Sequence, residues 1–206
     1  MTLNITTGNI SRRIIVNQPA LLPYDSRVEY LQSSGTQYID TGVIVNSTDT
    51  IESTIMFMSK SGDNQVFGSG APANQGGLWV EIYNNNTWYV RFGSSKSVNS
   101  TKQATLNTRK TIILKKNSFS VNGTKILTPN YTSMPQQTLY LFSNHTSYPL
   151  VGRIYNFSIT NSSNVKILNL IPVRVGQVGY MYDTINNQLY GNIGTGNFTV
   201  GPDITS

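Results

Sequence analysis

The chain has no cysteine, a single histidine and only nine acidic residues among its 206. Without thiols there is no disulfide framework, no zinc-finger cysteine set, no iron–sulfur ligation and no cysteine nucleophile. With His145 alone, any site needing two histidines is excluded. No stretch approaches the roughly 18 uninterrupted apolar residues that a membrane-spanning helix requires, so no membrane partner is expected. The N-terminal residues Met1-Thr-Leu-Asn-Ile-Thr-Thr-Gly8 show no basic segment followed by an apolar one, so no signal peptide is read there.

Charge is scarce as well. Charged residues make up 12% of the chain, about half the usual share. About a third of the residues are Asn, Ser or Thr, which supply the solubility, and 38% are hydrophobic, enough for a core. The net charge of +6 is scattered. Its dense groups are Arg12-Arg13 and the pair Arg109-Lys110 with Lys115-Lys116, which brackets an apolar run at 111–114. The second group reads as charged strand ends that discourage edge pairing. No recognition helix or RNP-type motif accompanies either group, so no nucleic-acid partner is expected. Asn-x-Ser/Thr triplets at Asn46, Asn85, Asn122, Asn130 and Asn197 follow from composition and read as chance.

What is present is a period of two. Strands are expected at 28–32, 37–45, 50–58, 65–67, 78–83, 88–92, 111–114, 119–121, 125–127, 138–142, 153–159, 165–170, 179–182 and 188–190. Gly, Asn and Ser clusters separate them, and β-branched and aromatic residues fill them. So many short strands in one domain predict an all-β, two-sheet antiparallel sandwich of the jelly-roll kind. Asn122-Gly123, Lys116-Asn117 and Asn186-Asn187 mark hairpin turns. Residues 1–24 differ: two prolines within five residues force an extended path. They read as an N-terminal arm, with the domain proper spanning 25–206. Arg12, Arg13, Ile14, Ile15, Val16, Leu21 and Leu22 are its candidate partner-binding residues.

The strands 78–83 and 88–92 can be registered from sequence. A three-residue loop at Asn84-Asn85-Asn86 sets Tyr83 opposite Thr87, Glu81 opposite Tyr89 and Trp79 opposite Arg91. The other face then carries Leu78, Val80, Ile82, Trp88, Val90 and Phe92 and belongs to the core. Trp79, Glu81, Tyr83, Tyr89 and Arg91 therefore form a solvent-facing candidate ligand face, suited to stacking sugars or gripping a protein. The alternative is that another loop simply covers these residues, or that Trp79–Arg91 is a cation–π pair across the strands with only a structural role.

Catalytic patterns are missing. Glycoside hydrolysis needs two carboxylates about 5–9 Å apart, and Glu81 has Trp79 and Tyr83, not an acid, at the same-face spacing of two. A serine triad lacks a base, because His145 sits in a loop without a carboxylate partner. Asp63-Asn64 and Asp183 with Asn186-Asn187 carry one charge each, too little for calcium, and read as turn chemistry. Gly68-Ser-Gly70 and Gly194-Thr-Gly196 open no helix and are no phosphate loop. No enzymatic activity, cofactor or metal is expected.

Three blocks resemble a known family. They are Val28-Glu-Tyr-Leu-Gln-Ser-Ser-Gly-Thr-Gln-Tyr-Ile-Asp-Thr-Gly42; then Leu139-Tyr-Leu-Phe142, Gly152-Arg-Ile-Tyr-Asn-Phe-Ser-Ile159 and Leu170-Ile-Pro-Val173; and finally Gly179-Tyr-Met-Tyr-Asp183, Leu189-Tyr190, Gly194-Thr-Gly-Asn-Phe198 and Gly201-Pro202. In order and spacing they resemble the laminin-G-like, concanavalin A-like jelly-roll family of gut bacteria and their phages, over residues 27–204. The resemblance implies a lectin-like sandwich without an enzymatic role. Asn161, Ser162 and Asn164 stand where the family has more acids, so no calcium or sugar site is carried over. The expected function is a non-enzymatic virion protein, a decoration protein anchored to a phage capsid by its arm. The alternative is a carbohydrate-binding module of a phage fibre or bacterial surface. The corresponding locations are the virion or the bacterial cell surface.

Overall fold

The computed structural model describes residues 2–7, 10–15, 22–59, 64–70, 77–83, 86–93, 98–134, 136–144 and 149–204, with backbone alone for 2–15 and 98–100. Among them every regular element is a strand. β1 (Thr2–Thr7) and β2 (Ile10–Ile15) pair only with each other, Leu3 opposite Ile14 and Ile5 opposite Arg12. Within the segment expected as an extended arm, residues 2–7 and 10–15 thus form a two-stranded antiparallel ribbon. Val16 and Leu21 lie outside the described residues, and Leu22 is exposed. Tyr24 packs edge-on against Tyr182 (4.9 Å), and Asp25 N–H donates to Arg174 O (2.9 Å).

The larger sheet has eleven strands. Its path runs β13 (Thr124–Leu127), β12 (Ser118–Val121), β11 (Lys110–Lys115), β6 (Thr50–Phe57), β15 (Val151–Thr160), β16 (Lys166–Val175), β17 (Val178–Asp183) and β18 (Gln188–Tyr190). β4 (Leu31–Ser34) also pairs with β15 and with β19 (Thr199–Val200), and β3 (Ser26–Arg27) pairs with β16. The smaller sheet has six strands in the order β10 (Val98–Gln103), β9 (Thr87–Gly93), β8 (Gly77–Tyr83), β7 (Asn64–Ser69), β14 (Tyr140–Leu141), β5 (Ile39–Asp40).

The expected meander is present: Ile113 faces Ser120 and Val121 faces Thr124, with Asn122 (φ 49°) and Gly123 (φ 77°) making the turn. So is the hairpin at Asn186-Asn187, with Asp183 opposite Gln188 and Met181 opposite Tyr190. β11 is an interior strand between β12 and β6, so its terminal lysines do not guard an edge as the sequence suggested. β3, β10 and β19 carry no apolar alternation of their own and were not legible.

Alternate residues of both sheets meet in one core. Phe67 of β7 stands edge-on to Phe157 of β15 (centroids 5.6 Å apart), and Trp88 of β9 touches Phe57 of β6 (5.4 Å) and Phe119 of β12 (5.3 Å). Burying such rings contributes about 1.5–3 kcal/mol each. The result is an antiparallel two-sheet jelly-roll sandwich.

Candidate functional site

The inward face of the β8–β9 hairpin is sealed: Leu78, Val80, Ile82, Trp88, Val90 and Phe92 are each at most 2% exposed. That burial turns the partners Trp79–Arg91, Glu81–Tyr89 and Tyr83–Thr87 to the outer face of the six-stranded sheet, in the register read from sequence. The Arg91 guanidinium lies over the Trp79 ring, 4.7 Å from its centroid, and Arg91 Nε donates to Gly93 O (3.0 Å). Tyr83 and Tyr89 rings lean together at 5.8 Å, and Tyr83 is exposed.

Glu81 corrects the expectation of a wholly solvent-facing row. It is buried, and Gln65 Nε2 of β7, itself buried, donates to Glu81 Oε2 at 2.6 Å. Strand alternation reports the face a residue points to but not what lies upon it. Here β7 brings the buried Gln65 beside Glu81, and Pro149 pairs alongside Gln65 in a parallel bridge. Among the described residues Gln65 Oε1 and Trp79 Nε1 are buried without a hydrogen-bond partner, which costs about 1–3 kcal/mol for each such group.

The face extends beyond the hairpin through residues the sequence did not single out. Trp79 stands opposite Gly68 of β7, Gly68 opposite Tyr140 of β14, and Tyr140 opposite Asp40 of β5. One line across five strands therefore reads Arg91, Trp79, Gly68, Tyr140, Asp40. Gly68 keeps its centre open to a second segment: a β carbon there would lie 2.7 Å from Asn144 Cβ and 2.8 Å from Trp79 Cβ. Asn144 thus occupies the place a side chain of β7 would take. It is half-buried, and among the described residues its amide has no hydrogen-bond partner.

Asn144 is delivered by an unusual backbone. Phe142, fully buried against Phe198 (4.7 Å), has φ 62°, a left-handed conformation costly for a bulky residue. Phe142 N–H donates to Val66 O and Phe142 O accepts from Leu150 N–H, both at 2.7 Å. At the other end of the line, burial and then the neighbouring Asp40 carboxylate raise the Tyr140 phenol above its ordinary pKa, which keeps it a neutral hydrogen-bonding group. These contacts join strands that lie 70–100 positions apart, so no local pattern announces them.

The rejected chemistries can be placed too. His145 and Asp63 lie outside the described residues. Asp183 is buried and accepts from Asn169 N–H (3.1 Å), Ile185 N–H (3.0 Å) and Asn186 Nδ2 (2.6 Å), the turn role expected of it. Among the described residues no group of three or more His, Cys, Asp or Glu side chains converges on one point.

The architecture is that of a concanavalin A-like jelly roll, a fold shared with carbohydrate-binding modules. A candidate carbohydrate-binding protein of Bacteroides ovatus superposes with a TM-score of 0.62 at 12% identity, over 87% of this chain. The chain spans 61% of that protein's length. The CBM40 module of a Ruminococcus gnavus IT-sialidase, bound to α2,3-sialyllactose, gives 0.53 at 14% identity over 66% of this chain and 92% of the module. At such identities the likeness is one of fold. No protein-family model matches the chain, and no curated sequence matches it.

Proposed function

We propose that this chain is a non-catalytic carbohydrate-binding domain whose ligand lies on the outer face of the six-stranded sheet. The observation that carries this reading is the line Trp79, Asn144, Tyr140. An aromatic ring packs on the apolar face of a sugar, and a primary amide offers both donor and acceptor to its hydroxyls. Asn144 has both unengaged among the described residues. Arg91 and Asp40 supply polar ends. The fold shared with modules described as carbohydrate-binding supports the same reading.

The non-catalytic part of the proposal rests on the spacing of the acids. Among the described residues Glu81 and Asp40 are the carboxylates of this face, and they sit on strands three spacings apart, β8 and β5. That is about 14 Å at the usual strand separation, beyond the roughly 5–9.5 Å over which two carboxylates cleave a glycosidic bond. A glycan array probed with the whole chain and with Trp79→Ala tests the proposal. Binding to a defined glycan class that Trp79→Ala weakens at least tenfold supports it. No binding, or binding indifferent to Trp79, refutes it.

A second reading, attachment to a larger assembly such as a phage capsid, rests on the N-terminal ribbon. A two-stranded hairpin is marginal alone in water and gains stability when another surface covers it. Particle association that survives deletion of residues 1–24 would rule this reading out.

A further inference from the structure

The aromatic face does not stop at β5. Residues 36–38 run beside 193–195, joined by Ile193 N–H to Tyr38 O, Thr195 N–H to Thr36 O and Thr36 Oγ1 to Thr195 O, each 3.0 Å. Asn192 pins this edge: its Oδ1 accepts from Tyr38 N–H (3.0 Å) and Gly194 N–H (2.9 Å), and its Nδ2 donates to Gly196 O (2.7 Å). Gly194 lies under the Tyr38 ring, where a β carbon would come within 2.9 Å of two ring carbons and collide with the Thr36 carbonyl. Only glycine leaves the ring in place. With Pro149 these residues line a groove of about 270 Å³.

We infer that this groove is a second subsite of the glycan face and takes a sugar bearing a methyl-ended substituent, namely an acetamido group. The inference rests on the glycan reading above. The Tyr38 ring is 6.2 Å from that of Tyr140, so a chain crossing the strands from Trp79 and Asn144 passes directly into the groove. Its chemistry differs from that of the first zone. The N–H groups of Tyr38, Ile193, Gly194 and Thr195 are all engaged within this edge, while Ile193, 55% exposed, stands beside Pro149 and Tyr38 as apolar wall. A sugar hydroxyl can reach Thr36 as an amide N–H would, but it leaves this wall uncovered. An acetamido methyl buries apolar area there instead. The Thr36 hydroxyl has its proton committed to Thr195 O, which leaves lone pairs to accept from the amide N–H.

The test is an array of matched oligosaccharide pairs that differ only in a hydroxyl or an acetamido group. The whole chain is expected to favour the acetamido member about fourfold, the equivalent of one buried methyl. Ile193→Ser, at an exposed position that leaves the core intact, is expected to bring that ratio to about one. Equal binding of both members by the unmodified chain, or a preference that survives Ile193→Ser, overturns the subsite and leaves the first zone standing. Binding of neither member, on an array covering all glycan classes, overturns both.

Discussion

Gln65 donates a 2.6 Å hydrogen bond to Glu81 from the neighbouring strand, and the two side chains are only 2% and 3% exposed. The pair makes Glu81 part of the floor beside Trp79 and not a surface contact. A buried carboxylate is tolerated only while its hydrogen bonds persist.

Gln65→Leu therefore removes a donor from a buried charge and is expected to cost about 1–3 kcal/mol. Tyr83→Ala, at the exposed end of the same face, is expected to stay within about 0.5 kcal/mol. Denaturant midpoints of the two variants give the comparison. Equal losses would contradict the burial of this pair.

Gly68→Ala places a β carbon 2.7 Å from Asn144 Cβ and 2.9 Å from Leu78 O. Overpacking of this kind costs about 1–3 kcal/mol, and the segment carrying Asn144 must lift. Lower thermal stability should come together with weaker glycan binding. A variant that binds as tightly as the unmodified chain would show that Asn144 is not held where the geometry places it.

Arg174 grips Asp203 through Nε to Oδ1 (2.7 Å) and Nη2 to Oδ2 (2.6 Å), and this fork ties the segment after β19 to β16. The hydrogen bonds from Arg174 hold the Asp203 carboxyl below its ordinary pKa. With the folded value depressed, the contribution is present above the unfolded aspartate pKa and is lost as pH falls through the folded one. Amide exchange at Gly201 and Ile204 should accelerate in that acidic window. Asp203→Asn should show the faster exchange already at neutral pH, and an unchanged pH profile in this variant would count against the clasp.

Tyr140 titrates in the opposite direction. Its pKa is raised, by burial first and by Asp40 next, so its contribution is complete below the ordinary tyrosine pKa and is lost as pH rises through the folded value. Asp40→Asn removes the charge and should bring tyrosinate absorbance on at lower pH than in the unmodified chain. Identical titration curves would separate Asp40 from Tyr140.

The legible part of this protein was what neighbours in sequence decide. The β8–β9 register follows from alternation and loop length alone, and the six core partners from Leu78 to Phe92 fall where those two rules put them. The meander at Asn122-Gly123 follows from turn chemistry. The rest depends on pairings between distant strands. Glu81 is engaged because β7 brings Gln65 beside it. Tyr140 and Asp40 join the line because β14 sits between β7 and β5. Gly68 looked like half of an empty glycine motif, and its role emerges only once Asn144 is seen to fill the space above it.

The most direct test is a nuclear magnetic resonance titration of the whole chain with the best-bound glycan from an array. The account predicts shift changes at the Trp79 indole, the Asn144 side-chain amide, Tyr140 and Ile193, with the β11–β13 meander of the opposite sheet unmoved. Changes centred on the larger sheet or on residues 2–15, with Trp79 and Asn144 silent, would contradict it.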